Sequence, residues 1–329
     1  MRSSIVTGID IGHQSIKTVT VRLVDKEFTL IGSNELILTS AIYTDSHKVD
    51  HQQIVSKLNQ LKKQLPLFCH RVAVLLPDDC VISKNVSVDS ELDVCEEEMA
   101  IYEAFSRQSL TSADSLSLDF MKVAGSSGSI REESTEYLVH GTRKDIVDSY
   151  ISAVSEAGLK LILMDSQAYS LLQVLILAKD KPGLANRMLL DIGKTKTTLC
   201  SFTPDKKPFH KNIAFGTDEL RGADAENIAL FTQSLAEHLQ RQIQLYYSPD
   251  SSTGPPEMML CGGGASIAGL PERLSEQLTF RCVTLRPFSL IKNEGAKGQL
   301  PEDDACYCSA LGVALRAAGW SGGQYDSSC

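Results

Sequence analysis

Long hydrophobic runs are missing from this chain of 329 residues. Apolar stretches such as Ile162-Leu163-Met164 and Leu189-Leu190 fall far short of the roughly 20 residues that span a bilayer, so no membrane span is expected. The front lacks a charged segment followed by a greasy one and a cleavage site. It passes within a few residues into the alternating pattern Ile5-Val6-Thr7-Gly8-Ile9-Asp10, and secretion is not expected. Positive charge is scarce. The 32 Lys and Arg against 41 Asp and Glu leave a net charge of -9, which disfavours a chain whose main task is gripping nucleic acid. No Cys-x-x-Cys motif occurs among the nine cysteines, an odd number scattered through the chain, so reduced thiols and a cytoplasmic location are expected. Cys306-x-Cys308, the nearest pair, reads as a coincidence at a helix start rather than as a metal or redox site.

What is present is apolar surface for two substantial cores, at 43% hydrophobic residues. Residues 5–10, 16–24 and 28–38 read as successive strands, the last two joined by the turn Asp25-Lys26-Glu27. A helix near 50–65 carries Ile54, Leu58, Leu61 and Leu65 at helical spacing and stops at Pro66. The continuous apolar run from Arg71 to Pro77 predicts a strand covered on both faces. Between 78 and 158 the pattern becomes a compact α+β insert. It has strands at 81–88, 115–123 and 136–141, an acidic helix at 95–108, a Gly/Ser loop at 124–129 and a helix at 143–157 capped by Gly158. The run Glu96-Glu97-Glu98 reads as a solvated face. A strand at 160–164 and an apolar helix to about 178 then lead to the break Lys181-Pro182-Gly183.

From 187 the chain repeats its opening. Strands at 188–193, 197–202 and 208–213 precede a helical tract over about 217–248, a loop at 248–256 and a strand at 257–261. A helix, a strand at 281–286, an irregular stretch with Gly295 and Gly298, and a small-residue helix at 304–318 follow. The end, 319–329, has the composition of a disordered tail.

Three motifs carry chemistry. In Gly8-Ile-Asp10-Ile-Gly12-His-Gln-Ser15-Ile-Lys17 a strand ends in an acid and then turns. Gly12 lets backbone N–H groups approach an anion, Ser15 and Lys17 add donors, and Asp10 can hold Mg²⁺ through water. The second, Leu190-Asp191-Ile-Gly193-Lys-Thr195-Lys-Thr197, repeats the Asp-x-Gly core. Two such hairpins facing one another can hold a polyphosphate and a metal between two domains. The third, Met259-Leu-Cys-Gly262-Gly263-Gly264, runs from an apolar strand into glycines that let a flat base and ribose lie against the backbone.

In order and spacing these motifs resemble the phosphate 1, phosphate 2 and adenosine motifs of the actin, sugar kinase and heat-shock superfamily. With an insert after the first strand-helix unit, the chain resembles FtsA and above all the type IV pilus assembly protein PilM family, including relatives from mannose-sensitive-haemagglutinin-type pili. Further residues carrying the likeness are Leu163-Met-Asp-Ser-Gln-Ala-Tyr-Ser-Leu171 and Leu239-Gln-Arg-Gln-Ile-Gln-Leu-Tyr-Tyr247. The fold this implies is α/β, actin-like and ribonuclease H-like, with duplicated domains, a 1C insert and a reduced 2B subdomain. Domain 1 would comprise 1–77 and 159–186 joined by the helix 304–318, the insert 78–158 and domain 2 residues 187–303.

The resemblance implies ATP and Mg²⁺ as cofactors. Asp10, Gly12, Ser15 and Lys17 would meet phosphates from one side, and Asp191, Gly193 and Thr195 from the other. Asp10 and Asp191 would hold the metal through water, Gly262 to Gly264 the adenosine, and Arg241 and Gln244 the base. Asp165 stands where relatives that hydrolyse ATP orient a water; by its own position it reads more readily as a helix N-cap than as a strong catalyst. Lys194 and Lys196 either help the phosphates or point to water. Hydrolysis, if any, is expected to be slow. The implied role is a cytoplasmic scaffold at the inner membrane that grips the cytoplasmic N-terminal tail of a PilN-type membrane protein and links it to the pilus motor ATPases. The alternative on the same superfold is a small-molecule phosphotransferase. It needs a base for its acceptor and a closed pocket, for which His13 is no persuasive candidate.

Overall fold

The computed structural model describes residues 4–39, 42–43, 49–66, 69–109, 113–123, 134–179, 187–203, 207–246, 257–278, 280–293 and 301–321. The expected loops at 124–129 and 248–256, the break at Lys181-Pro182-Gly183, Gly295 and Gly298, and residues 322–329 of the expected tail 319–329 lie outside them, whereas 319–321 belong to the last helix.

The chain opens with strands β1 (Ser4–Ile11), β2 (Ser15–Val24) and β3 (Glu27–Ile37), then helix α1 (His51–Gln64) and strand β4 (Arg71–Leu76). β5 (Ile82–Asp89), α2 (Val94–Gln108), β6 (Leu116–Lys122), β7 (Ser134–Arg143) and α3 (Lys144–Glu156) follow. β8 (Lys160–Ser166) and α4 (Gln167–Lys179) complete the first half. The second half runs β9 (Arg187–Ile192), β10 (Thr197–Phe202), β11 (Pro208–Ile213), α5 (Ala225–Tyr246), β12 (Glu257–Cys261), α6 (Leu270–Leu278), β13 (Cys282–Thr284) and α7 (Cys308–Ser321).

Two five-stranded sheets share one plan. Their orders are β3-β2-β1-β4-β8 and β11-β10-β9-β12-β13, each an antiparallel meander followed by two parallel strands. The duplication legible at residue 187 is thus a duplication of topology. A third sheet, β5-β7-β6, lies in the chain between the adjacent strands β4 and β8 and forms an inserted unit.

Local chemistry accounts for the elements. Asp25 and Lys26, both at positive φ, make the tight turn that matches the twist of the β2–β3 hairpin. Asp50 caps α1 by accepting from the Gln53 amide, and Ile54, Leu58 and Leu61 form the buried stripe. Asp93 and Glu96 form a capping box on α2, while Glu97 accepts from the Tyr137 hydroxyl. Of the acidic run, only Glu98 is therefore a simple solvated charge among these three. Helices α4 and α7 make the layer between the two large sheets. A single core cluster takes Val6 and Leu75 from the first sheet, Leu189 and Met259 from the second, and Leu171, Leu311 and Ala314 from the helices.

Several boundaries differ from expectation for identifiable reasons. Helix α5 begins at 225 rather than 217, because the Asp224 carboxylate accepts from the Glu226 and Asn227 amides and caps it there. Helix α7 begins at 308, after a single turn at 305–307, and β13 is shorter than 281–286. Strand β8 continues through Ser166, so Asp165 is a strand residue and not a helix cap. The first turn of α4 is held instead by the Ser166 hydroxyl, accepting from Tyr169, and by the Asp78 carboxylate, accepting from Ala168. Helix α3, expected within the insert, buries Ile146, Tyr150 and Val154 against α1 and the first sheet, whereas the insert's own core is built on Val86, Ile101, Phe105 and Val139. No helix among the described residues is long and apolar enough to cross a membrane.

Candidate functional site

The two phosphate-like motifs fold into the same turn. After β1 the Gly12 amide donates to the Ser15 carbonyl at 3.0 Å; after β9 the Gly193 amide donates to the Lys196 carbonyl at 2.9 Å. Each turn follows an aspartate near the end of a strand, and both turns open on one cavity of about 740 Å³. Ser15, Lys17, Lys194, Thr195 and Gly263 line it, together with Glu35 from β3.

The third motif closes the floor. Gly262 has φ of 80°, and a Cβ there would fall 2.2 Å from the Asp191 carboxylate, so only glycine fits. At Gly263 a Cβ would meet nothing within 4 Å, which leaves a bare stretch of backbone facing the cavity. Gly264 is buried, and a Cβ there would press on the Ile192 side chain.

Charge is concentrated beneath the cavity. Burial pushes the Asp191 carboxyl up to about 6, and the neighbouring negative charge of Asp10 adds to the shift; the Gln167 hydrogen bond, Lys196 and Lys17 work against it. Asp10 is likewise raised by burial, with Lys17 and Lys196 opposing. Burial alone would lower Lys17, yet Asp10, Cys306 and Glu35 outweigh it and leave that ammonium more firmly protonated. Lys17 donates to the Ser15 hydroxyl at 2.6 Å and lies 3.3 Å from Glu35. Lys194 pairs with Asp218 at 3.8 Å, and Lys196 reaches Asp79 at 3.5 Å. Two buried carboxylates held partly against ionisation are suited to a divalent cation. Among the described residues no group of three or more His, Cys, Asp or Glu is placed to grip a metal unaided.

Three expected residues lie elsewhere. Asp165 is taken up by an ion pair with Arg316 of α7. Arg241 and Gln244 stand exposed on α5, whose other face is occupied by Phe231, Leu235 and Leu239, and they do not line the cavity. Of the cysteine pair, Cys306 lines the cavity and Cys308 is buried; the eight described cysteines are free thiols.

Two residues emerge that the sequence reading passed over. Gln167 donates its side-chain amide to Asp191 and lies near the Ser309 hydroxyl, so it crosses from α4 to the second sheet at the aspartate of the second turn. It sits two residues beyond Asp165, and continuing the strand pattern to Ser166 would have pointed to it. Glu35 is set by register: the bulge between Thr20 and Val21 brings it, rather than Asn34, opposite Lys17.

A family model described as Type IV pilus assembly protein PilM matches residues 8–228 and 220–318. A chain of a solved PilM-PilN type IV pilus biogenesis complex superimposes with a TM-score of 0.77 at 20% identity, covering 95% of this chain and 98% of that one. The ethanolamine utilization protein EutJ from Carboxydothermus hydrogenoformans gives a TM-score of 0.54 at 13% identity, with 96% and 90% covered. A diol dehydratase-reactivating factor in nucleotide-free form gives 0.53 at 8%, with 97% and 100% covered. The likeness to these structures is one of fold, and the fold is the actin-like one.

Proposed function

The chain belongs to the family of the type IV pilus assembly protein PilM, and from that premise we propose that it is an ATP-binding cytoplasmic scaffold of a pilus-like assembly system. It grips the N-terminal cytoplasmic tail of a PilN-type inner-membrane protein, is peripheral to the membrane through that partner, and links it to the motor ATPases. Family membership favours this over the phosphotransferase alternative.

The observation that carries the nucleotide half is the pair of equivalent Asp-x-Gly turns opening on one cavity beside the bare backbone at Gly263. Ser15, Lys17 and Thr195 with the turn amides would hold phosphates, Asp10 and Asp191 would orient the waters of Mg²⁺, and Gly262 to Gly264 would take the adenosine. The metal would supply charge neutralisation at the phosphates. With Asp165 engaged by Arg316 and the Gln167 amide held by Asp191, neither side chain is free to orient an attacking water in this arrangement, which supports slow hydrolysis at most.

Titration calorimetry tests both halves. The full chain should bind ATP in Mg²⁺ but not in EDTA, and should bind a synthetic peptide copying the PilN-type tail. Failure with both ligands would overturn the proposal. Gly263→Ala offers a sharper check on where the base lies. The methyl has open space and an ordinary backbone angle, so stability should stay within about 0.5 kcal/mol of the parent. Nucleotide affinity should nevertheless fall by roughly tenfold, the cost of overpacking a contact face. Unchanged affinity would place the base elsewhere.

A further inference from the structure

The inserted unit is tied to the second half of the molecule by a residue of the turn whose Lys194 and Thr195 line the cavity. Lys196 closes the second phosphate turn through its carbonyl, and its ammonium lies 3.5 Å from an Asp79 carboxylate oxygen. Asp79 sits in the 78–80 turn, where the chain leaves β4 for the inserted unit. That turn is anchored on its other side by Asp78, whose carboxylate accepts from the Ala168 amide at the start of α4. We propose that Lys196 is a phosphate sensor, which abandons Asp79 when the cavity takes up a polyphosphate and thereby releases the root of the inserted unit. This rests on the nucleotide reading above and names how that site is coupled to the rest of the molecule.

Three observations carry it. Lys196 accepts from the Gly193 amide in the turn whose Lys194 and Thr195 line the cavity, and its charge acts on the buried Asp10 and Asp191 beside the turns, opposing their upward shift, as well as facing Asp79. The Asp79 side chain is half exposed, at 51%, and a pair so open to water is weak enough to be outcompeted by a phosphate. Lys194, the other lysine of the turn, pairs with Asp218 of the same half and cannot carry a signal to the insert. A second junction stacks His210 of β11 on Tyr169 of α4 and Tyr169 on His140 of β7, at 6.1 and 4.9 Å between ring centres. It contains no residue of the phosphate turns, so the Asp79 contact is the one that phosphate can address.

Calorimetry on the full chain with Mg²⁺ and the β,γ-imido analogue of ATP tests the exchange. Asp79→Asn frees Lys196 and should tighten binding by about two- to fivefold, the range of an exposed ion pair. Lys196→Met should weaken binding, and the double variant should match Lys196→Met alone. Asp145→Asn, which removes a carboxylate paired with Arg143, controls for general charge and should leave affinity unchanged. Hydrogen exchange over residues 78–89 should rise on nucleotide addition in the parent and not in Lys196→Met. A parent that binds and an Asp79→Asn variant of equal affinity would overturn the sensor alone. A parent that binds no nucleotide would overturn the nucleotide reading and the sensor with it.

Discussion

Asp191→Asn should raise the stability of the empty protein at pH 8 while abolishing its Mg²⁺-dependent nucleotide binding. The carboxyl of Asp191 is raised to about 6, above an unfolded value of about 3.9. Below pH 4 it is protonated in both states and imposes no penalty. Between about 4 and 6 the folded state holds more protons than the unfolded one, so stability falls as pH rises. Above 6 the full cost of a buried charge remains, about 2–3 kcal/mol for a shift of roughly two units. Asparagine removes that cost and keeps an oxygen to accept from Gln167. The gain should appear as a rise of several degrees in unfolding temperature at pH 8 in EDTA, and should vanish near pH 4. Asp10, raised for the same reason, acts in the same direction. A variant less stable than the parent at pH 8 would show that the ionised carboxylate is structural. The expected pattern is the signature of a binding site: the fold bears a charge that Gln167, Lys196 and Lys17 offset only in part.

The two halves were legible because duplication leaves its mark in short patterns. Asp10-Ile-Gly12 and Asp191-Ile-Gly193 produce the same strand end and the same turn hydrogen bond, and those depend on two or three residues that can be read in order. That Ser15, Lys17 and Thr195 line one cavity follows from the same repeat. The helix boundary at 225 was not legible, since a cap depends on which nearby side chain wins the free amides, and the start at 308 was not, since the turn at 305–307 precedes it without a side-chain cap. The allocation of Asp165 and Gln167 was hidden for a deeper cause. Whether a carboxylate near the cleft faces the nucleotide or is claimed by a cation 151 positions away is decided by packing of α7 against α4, and no local pattern records Arg316 as the partner. Glu35 depended on a one-residue bulge, which moves every later cross-strand pair by one place.

Gly312→Ala should cost about 3 kcal/mol or more. A Cβ at position 312 would fall 2.0 Å from the Ser170 carbonyl oxygen and 2.5 Å from its carbon. These are backbone atoms of a buried helix and cannot swing aside as a side-chain tip can. Nor can α7 retreat. On its other side, the space above Gly8 of β1 is already filled by the Ala310 carbonyl, which lies 2.1 Å from where a Cβ on Gly8 would be. Moving α7 away from α4 therefore drives it into β1, and both contacts lie within one close-packed core. Thermal unfolding and soluble yield read the effect. An unfolding temperature within about two degrees of the parent would show that the α4–α7 crossing is plastic. The same displacement reaches the cavity, because Ser309 of α7 and Gln167 of α4 meet beneath Asp191. Whatever Gly312→Ala protein remains folded should then bind nucleotide more weakly, whereas Gly263→Ala weakens binding at full stability. The two glycines separate the frame of the site from its surface.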